Sequence, residues 1–473
     1  MLTPVDFSGR PFHFIGVGGI GMSALAYVLA QRSLPVSGSD QRENRLTETL
    51  QSLGAKFFLG QTADNIHQLL PGAEVNGEGA NKNGLPQVVC STAIPKDNAE
   101  YKEAIAQGCP IFHRSDILAG IMTQYRGIAI AGTHGKTTTS SALGQTLLKA
   151  GLDPTVIVGG EVAEWGGNAH LGNGDLLVAE ADESDGSLVK LTADIGVITN
   201  IELDHPDHYE SLDSVISIFR TFEKNCTTLV GSIDCPTVKA NFKPDITYSL
   251  DPSSGANYTA DGITLGSQGA AADIYENGEL LGRLQLQLLG EHNLSNALAV
   301  VAIARHLGVD FSALAAGLGS FSGARRRFEH RGTPSGIAFY DDYAHHPSEI
   351  LVTLAAARQR LDSSKTGRVV AVFQPHRFSR VAAFLEEFAV AFGDAHRVIV
   401  TDVYAAGEKN ETGLDGAAIA QAIANHHPAV DYQSTLDNVV SGLTEILQSG
   451  DLVIFLGAGN LNQVIPTIIE RYT

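Results

Sequence analysis

Residues 127–151 read GIAIAGTHGKTTTSSALGQTLLKAG: an apolar strand that breaks at Gly132 and restarts as a helix rich in Thr and Ser. Two glycines, Gly132 and Gly135, flank the break. Glycines let backbone N–H groups approach phosphate oxygens, and the helix N-terminus adds positive potential at the same spot. Lys136 can then reach β and γ phosphates, and the Thr137 hydroxyl can ligate a magnesium ion. A strand that feeds such a turn belongs to an α/β sheet, whose ligands bind off the C-terminal strand edge.

Working outward, the same strand-to-turn pattern recurs. On the N-terminal side, FHFIGVGGIGMSALAYVLA (12–30) runs from strand to helix, LPVSGSD (34–40) ends in Asp40, and VVCSTAI (88–94) ends near Ser91 and Thr92. On the C-terminal side come LLVAEADESD (176–185) and IGVITNIELDHPDHY (195–209). The polar, Gly-rich stretch 250–290 suggests short antiparallel strands, and EHNLSNALAVVAIARHLG (291–308) suggests a helix. After the basic interlude GARRRFEHRG (323–332), four more apolar runs stop at polar or glycine residues: 337–347, 368–380, 397–408 and 451–460. Strands alternating with helices predict three α/β domains: a Rossmann-like one, a central P-loop ATPase-like one with a parallel sheet, and a second Rossmann-like one. The expected spans are 1–119, 120–323 and 324–473.

Composition narrows the function. The 473 residues carry 32 Lys and Arg against 52 Asp and Glu, a formal net charge of −20, which disfavours nucleic acid and anionic lipid as partners. Four cysteines without C-x-x-C spacing read as plain thiols of a reducing compartment. The start MLTPVDFSGRPFHFIG lacks a basic n-region before a long apolar stretch, and no run of 18 apolar residues occurs. A cytoplasmic protein, monomer or homodimer, is the expectation.

Further groups sit at strand ends. Glu180 and His205 can each hold a divalent ion, and acids cluster around them at Asp182, Glu183, Asp185, Asp204 and Asp207. Gly16, Gly18 and Gly21 form a G-x-G-x-x-G with Asp40 placed for a ribose, a pattern that by itself reads as NAD. Its physics is a pyrophosphate on a helix N-terminus, so a UDP-linked molecule satisfies it equally. In QPHRFSR (374–380), Arg377 and Arg380 can grip a small carboxylate. The turn DDYAHHP (341–347) is unusually polar for a strand end.

Taken together, GVGGIGMSALA (16–26), AGTHGKTTT (131–139), AEADESD (179–185), TNIELDH (199–205), GEHNLSNALA (290–299), DDYAHHP and QPHRFSR resemble the Mur ligase family, the ATP-dependent amide-forming ligases of peptidoglycan precursor synthesis. Within the family, the resemblance points to joining L-alanine to UDP-N-acetylmuramate, the alternative being attachment of a recycled tripeptide to the same sugar. It implies that Gly132, Thr133, His134, Gly135, Lys136, Thr137, Thr138 and Asn293 serve ATP, and that Thr137, Glu180 and His205 hold Mg²⁺. Lys136, Glu180 and His205 are then the catalytic set. It further implies that Gly18, Gly19, Ile20, Gly21, Asp40, Ser91 and Thr92 surround the UDP sugar. Tyr343, His346, His376, Arg377 and Arg380 would surround the amino acid.

Overall fold

A computed structural model describes residues 4–71, 84–361 and 367–473. Residues 1–3, at the start read above for a leader, lie outside that range. The described chain is α/β throughout, with three domain-sized sheet regions. It divides into two compact units: residues 1–132, 143–198 and 217–229 form the first, and residues 133–142, 199–216 and 230–473 the second.

The first unit opens with β1 (Phe12–Ile15), β2 (Val36–Asp40), β3 (Lys56–Leu59), β4 (Gln87–Cys90) and β5 (Ile111–His113). They form an all-parallel sheet in the order β3-β2-β1-β4-β5. The order reverses at β1, between β2 and β4, which leaves a crevice beyond the C-terminal ends of these strands. Phe12 and Phe14 are fully buried, as both-face coverage of a parallel sheet requires. His13 is buried too, and it is satisfied by Ser37 Oγ at 2.9 Å and Glu100 Oε1 at 2.8 Å.

The unit continues with β6 (Arg126–Ala131), β7 (Thr155–Val162), β8 (Gly167–His170), β9 (Leu176–Glu180) and β10 (Ala193–Ile198). Their order is β10-β6-β9-β7-β8, parallel except for the β7–β8 pair. The GIAIA run lies in β6, the helix Lys136–Lys149 begins four residues after Gly132, and its part from Leu143 onward belongs to this unit. Gly144 on that helix lets it lie on β7, since a Cβ there would stand 2.9 Å from Val156 Cγ1.

The chain enters the second unit again at Val230, within β11 (Cys226–Ser232), and continues through β12 (Ile246–Ser249), β13 (Tyr258–Gly266), β14 (Gly269–Glu276) and β15 (Glu279–Leu286). The first three run parallel, and β13–β15 form the antiparallel meander that the 250–290 composition suggests. Its C-terminal sheet comprises β16 (Glu329–Gly332), β17 (Ala338–Asp342), β18 (Val369–Phe373), β19 (Arg397–Thr401), β20 (Val430–Gln433) and β21 (Leu452–Leu456). The order is β16-β17-β21-β18-β19-β20, and only β16 is antiparallel. Alternate residues of β18 and β21 feed two cores. Ala371, Phe373, Ile454 and Leu456 face one side, and Val370, Val372, Val453 and Phe455 the other. Such double burial explains why these strands read as continuous apolar runs rather than alternating ones.

Candidate functional site

In the first unit, β1 runs into the turn Gly16–Gly19 ahead of the helix Ile20–Gln31. Gly16 has φ +81°, a conformation that side chains avoid. Asp40, at the end of β2, accepts a hydrogen bond from the Gly18 N–H at 2.9 Å, and Asn44 Nδ2 donates to the Gly18 carbonyl at 3.1 Å. A Cβ on Gly18 would meet both side chains at 2.9 Å, so glycine is required there by Asp40 itself. Ser91 follows β4, the neighbour of β1. Gly18–Gly21, Asp40, Ser91 and Thr92 thus all lie off one edge of one sheet.

Glu180 ends β9 and accepts the Gly159 N–H at 2.8 Å. The two residues fit only because position 159 lacks a side chain: a Cβ there would stand 2.7 Å from both carboxylate oxygens. The remaining acids of this strand end have different partners. Arg114 donates to Asp182 at 2.7 Å and to Asp185 at 3.1 Å.

In the second unit, the phosphate loop is strapped by the residues that follow β10. The Thr133 N–H donates to the Asn200 carbonyl at 3.0 Å, and the His134 N–H donates to Asn200 Oδ1 at 2.9 Å. Thr199 Oγ1 and Asn200 Nδ2 both donate to the His134 carbonyl, at 2.7 and 3.0 Å, and the Glu202 N–H donates to Thr133 Oγ1 at 2.9 Å. Lys136 Nζ donates to the Thr133 carbonyl at 3.1 Å, which holds the ammonium over the loop. Gly135 (φ +83°) packs against the helix Glu291–His306, where a Cβ would come within 2.4 Å of Asn296 Oδ1. Asn293 lies one turn earlier on that helix, 3.4 Å from Asn296, and donates to the Leu289 carbonyl at 2.8 Å. The structure therefore adds Asn296, which the sequence reading passed over, to the phosphate loop.

His134 itself lies between two carboxylates, with Nε2 3.4 Å from Glu202 and Nδ1 3.3 Å from Glu349. Burial alone would lower its pKa, but these two acids outweigh it and hold the imidazole at about 10. The same contact with His134 keeps Glu202 down at about 2.

Arg380 is buried, at 2% exposure, and donates through Nε and Nη2 to Asp204 Oδ1 at 3.0 and 2.8 Å. Burial works to raise the Asp204 pKa, but the guanidinium and then His205 outweigh it and hold the carboxyl well below the usual range. His205 (φ +57°) stands 3.5 Å from Arg380 Nη2. Arg377 pairs with Asp207 and stands 3.6 Å from Glu408. Both guanidiniums thus already neutralise acids, and Arg380 Nη1 turns toward His376 Nδ1 at 3.3 Å.

His376 stacks on Tyr404 and meets the edge of His345, which in turn sits edge-on to Tyr343. Burial lowers His345 to about 4; it also lowers His376, assisted by His345 and the two arginines, to about 3, so both are neutral acceptors and donors near pH 7. The structure brings His345 into the Tyr343–His376 group. His346 turns instead toward His134, ring centroids 5.0 Å apart. In the preceding pair of acids, Asp342 caps the Phe328 and Ala344 N–H groups and Asp341 faces Arg326 and Arg331, so these two hold the turn in shape.

Three family profiles match this chain: one described as Mur ligase family, catalytic domain, over residues 11–126; the Mur ligase middle domain over 130–304; and the Mur ligase, glutamate ligase domain over 326–459. A UDP-N-acetylmuramate–L-alanine ligase of Nostoc punctiforme is 58% identical, covering 100% of this chain and 98% of its own. The enzyme of the same name from Gloeothece citriformis is 55% identical over 99% of both chains. Among solved structures, the UDP-N-acetylmuramate–alanine ligase MurC of Thermotoga maritima superposes with a TM-score of 0.81 at 28% identity, covering 98% of this chain and 99% of its own.

Proposed function

The chain belongs to the Mur ligase family, and from that premise we propose that it joins L-alanine to the lactyl carboxylate of UDP-N-acetylmuramate at the expense of ATP. The products are UDP-N-acetylmuramoyl-L-alanine, ADP and phosphate, a step of peptidoglycan synthesis and hence of cell-wall growth, shape and division. The observation that carries this reading is similarity along the whole chain to ligases of that name, including the lysine-bearing phosphate loop.

A carboxylate does not condense with an amine at neutral pH because hydroxide is a poor leaving group. In the first step a carboxylate oxygen attacks the γ-phosphorus; the new O–P bond forms as the bond to the β-phosphate oxygen breaks, and ADP departs. In the second, the unprotonated alanine amine attacks the acyl carbon, phosphate leaves with the bonding pair, and the nitrogen loses a proton. Lys136 compensates the charge that builds up as two anions approach. Thr137, Glu180 and His205 offer two oxygens and one nitrogen, a donor set that suits Mg²⁺ sharing phosphate oxygens and water. When bound there, the ion supplies charge neutralisation during phosphoryl transfer.

In this reading residues 1–119 hold the UDP sugar through Gly18–Gly21, Asp40, Ser91 and Thr92. Residues 120–323 hold ATP, with Asn293 on the adenine side. Residues 324–473 hold alanine, through Tyr343, His376, Arg377 and Arg380. The reading places the protein in the cytoplasm; among the described residues no helix is long and apolar enough to cross a membrane. The test is phosphate release from ATP and UDP-N-acetylmuramate, with L-alanine, glycine, L-serine and the recycled tripeptide compared as acceptors. Release that is fastest with the tripeptide, or that needs no acceptor, would refute the assignment.

A further inference from the structure

His134, Glu202 and His346 each offer one donor atom, and the three atoms lie within 4.8 Å of one another. The donors come from three separate places in the second unit: the phosphate loop, the stretch after β10, and the turn before the helix Pro347–Leu361. His346 is about 95% buried (5% exposed), and its Nε2 makes no hydrogen bond among the described residues. An imidazole nitrogen enclosed without a partner is a cost that native structures seldom leave standing.

We propose that these three side chains form a binding site for a divalent d-block cation such as zinc, separate from the magnesium ligands Thr137, Glu180 and His205. Zinc–ligand bonds of about 2.0–2.1 Å at tetrahedral angles put neighbouring donor atoms roughly 3.3–3.4 Å apart. His134 Nε2 and Glu202 Oε2 stand 3.4 Å apart, the separation of co-ligands and long for a hydrogen bond. Two imidazoles beside one carboxylate favour d-block ions over Mg²⁺, whose preferred ligands are mostly oxygens.

The surroundings also match a metal site. Glu349 Oε1 lies 3.3 Å from the other nitrogen of His134, the carboxylate–histidine arrangement that orients a ligating ring. Ser348 Oγ donates to Glu202 Oε2 at 2.8 Å and fixes that carboxylate. The Ser348 N–H reaches His346 Nδ1 only at 3.3 Å, a contact the ring can give up when Nε2 takes the ion. Bound there, the cation ties the phosphate loop to the start of the helix Pro347–Leu361.

The test uses full-length protein stripped by a chelator and titrated with Co²⁺ in the absence of nucleotide. One equivalent should give an intense visible band of low-coordinate cobalt, and Zn²⁺ should bleach it. Glu202→Gln and His346→Gln should each lose the band. Glu349→Gln should keep it with affinity weakened roughly 10- to 100-fold. Glu180→Gln, altered at the proposed magnesium site, should titrate like the unaltered protein. Circular dichroism checks that each variant is folded, and either of the first two suffices if the other is not. No band in the unaltered protein, a band that survives in a folded Glu202→Gln or His346→Gln, or a band lost in Glu180→Gln would overturn the proposal. Ligase activity enters none of these readouts, so this site and the catalytic reading stand or fall separately.

Discussion

Replacing Arg380 by alanine separates two roles that one side chain can play. Arg380 and Asp204 are 2% and 5% exposed, joined by two hydrogen bonds to a single carboxylate oxygen. Removing one member of such a buried pair strands the other charge in a medium that solvates it poorly, at a cost of about 3–5 kcal/mol. For a body of this size, at roughly 2–4 °C per kcal/mol, the unfolding midpoint should fall by about 10 °C. A residue that only gripped substrate would leave the free protein's midpoint nearly unchanged.

The pH dependence gives a second check on the same pair. The Asp204 pKa is depressed in the folded state, so its stabilisation is present in full above the unfolded value of about 3.9 and is lost as pH falls through the folded value. In Arg380→Ala, burial without the guanidinium raises that pKa instead, and acid then neutralises the stranded charge. The difference in stability between the two proteins, read by urea unfolding followed by fluorescence, should therefore shrink between pH 7 and pH 4. The double variant Asp204→Asn, Arg380→Ala should recover about 2–3 kcal/mol relative to the sum of the singles. A penalty under about 1 kcal/mol, the value of a surface pair, or a gap that stays constant with pH would refute the reasoning.

Lys136→Ala should cut ADP formation by roughly a thousandfold or more, since it removes a cation placed where phosphoryl charge develops; UDP-sugar binding by calorimetry should stay near normal, and joint loss in a folded variant would argue for one shared site. Arg377, a third exposed and paired with Asp207, should contribute less than about 1 kcal/mol to stability. Its alanine variant should raise the KM for L-alanine far more than the KM for ATP, and an equal rise in both would remove it from the amino-acid site. Gly159→Ala pushes a methyl group toward both Glu180 oxygens; the magnesium concentration for half-maximal activity should rise several-fold while the melting point moves little, and an unchanged magnesium dependence would dissociate Glu180 from the ion.

What the sequence made legible follows from how strands and turns are encoded. Doubly buried strands such as Val369–Phe373 and Leu452–Leu456 announce themselves as apolar runs, and glycine marks the turn where backbone must approach a phosphate. Short edge strands, such as Lys56–Leu59 and Val430–Gln433, are too brief to carry a comparable pattern and become visible only through their pairing. At Asn293 and Asn296, helical spacing puts both side chains on one face, and what selects Asn296 is the missing Cβ of Gly135, more than 150 residues away in the chain. His345 and His346 are adjacent in sequence, and only the direction of the turn decides which meets His376 and which meets His134. Thr199 and Asn200 stood inside a recognised motif, yet their work, bonding the carbonyl of His134, is a contact that residue type alone does not reveal.

The same pairings explain how a chain with a net charge of −20 can recruit anionic substrates. At physiological ionic strength fields fade over about 8 Å, so a substrate feels the nearest groups rather than the total. Acids at these strand ends face basic partners: Asp182 and Asp185 share Arg114, Asp204 faces Arg380, Asp207 faces Arg377, and Glu202 and Glu349 share His134. Each match removes a local repulsion while keeping a carboxylate in place to hold a cation or a turn. The arginines are therefore as much shields for the protein's own acids as grips for a ligand. On that argument, raising the salt concentration should weaken ATP binding only modestly, because the unscreened surface charge contributes little at the phosphate loop. A steep fall in ATP affinity with salt, measured by calorimetry at constant magnesium, would mean instead that distant charges reach the loop and that the local matching is not what admits the anion.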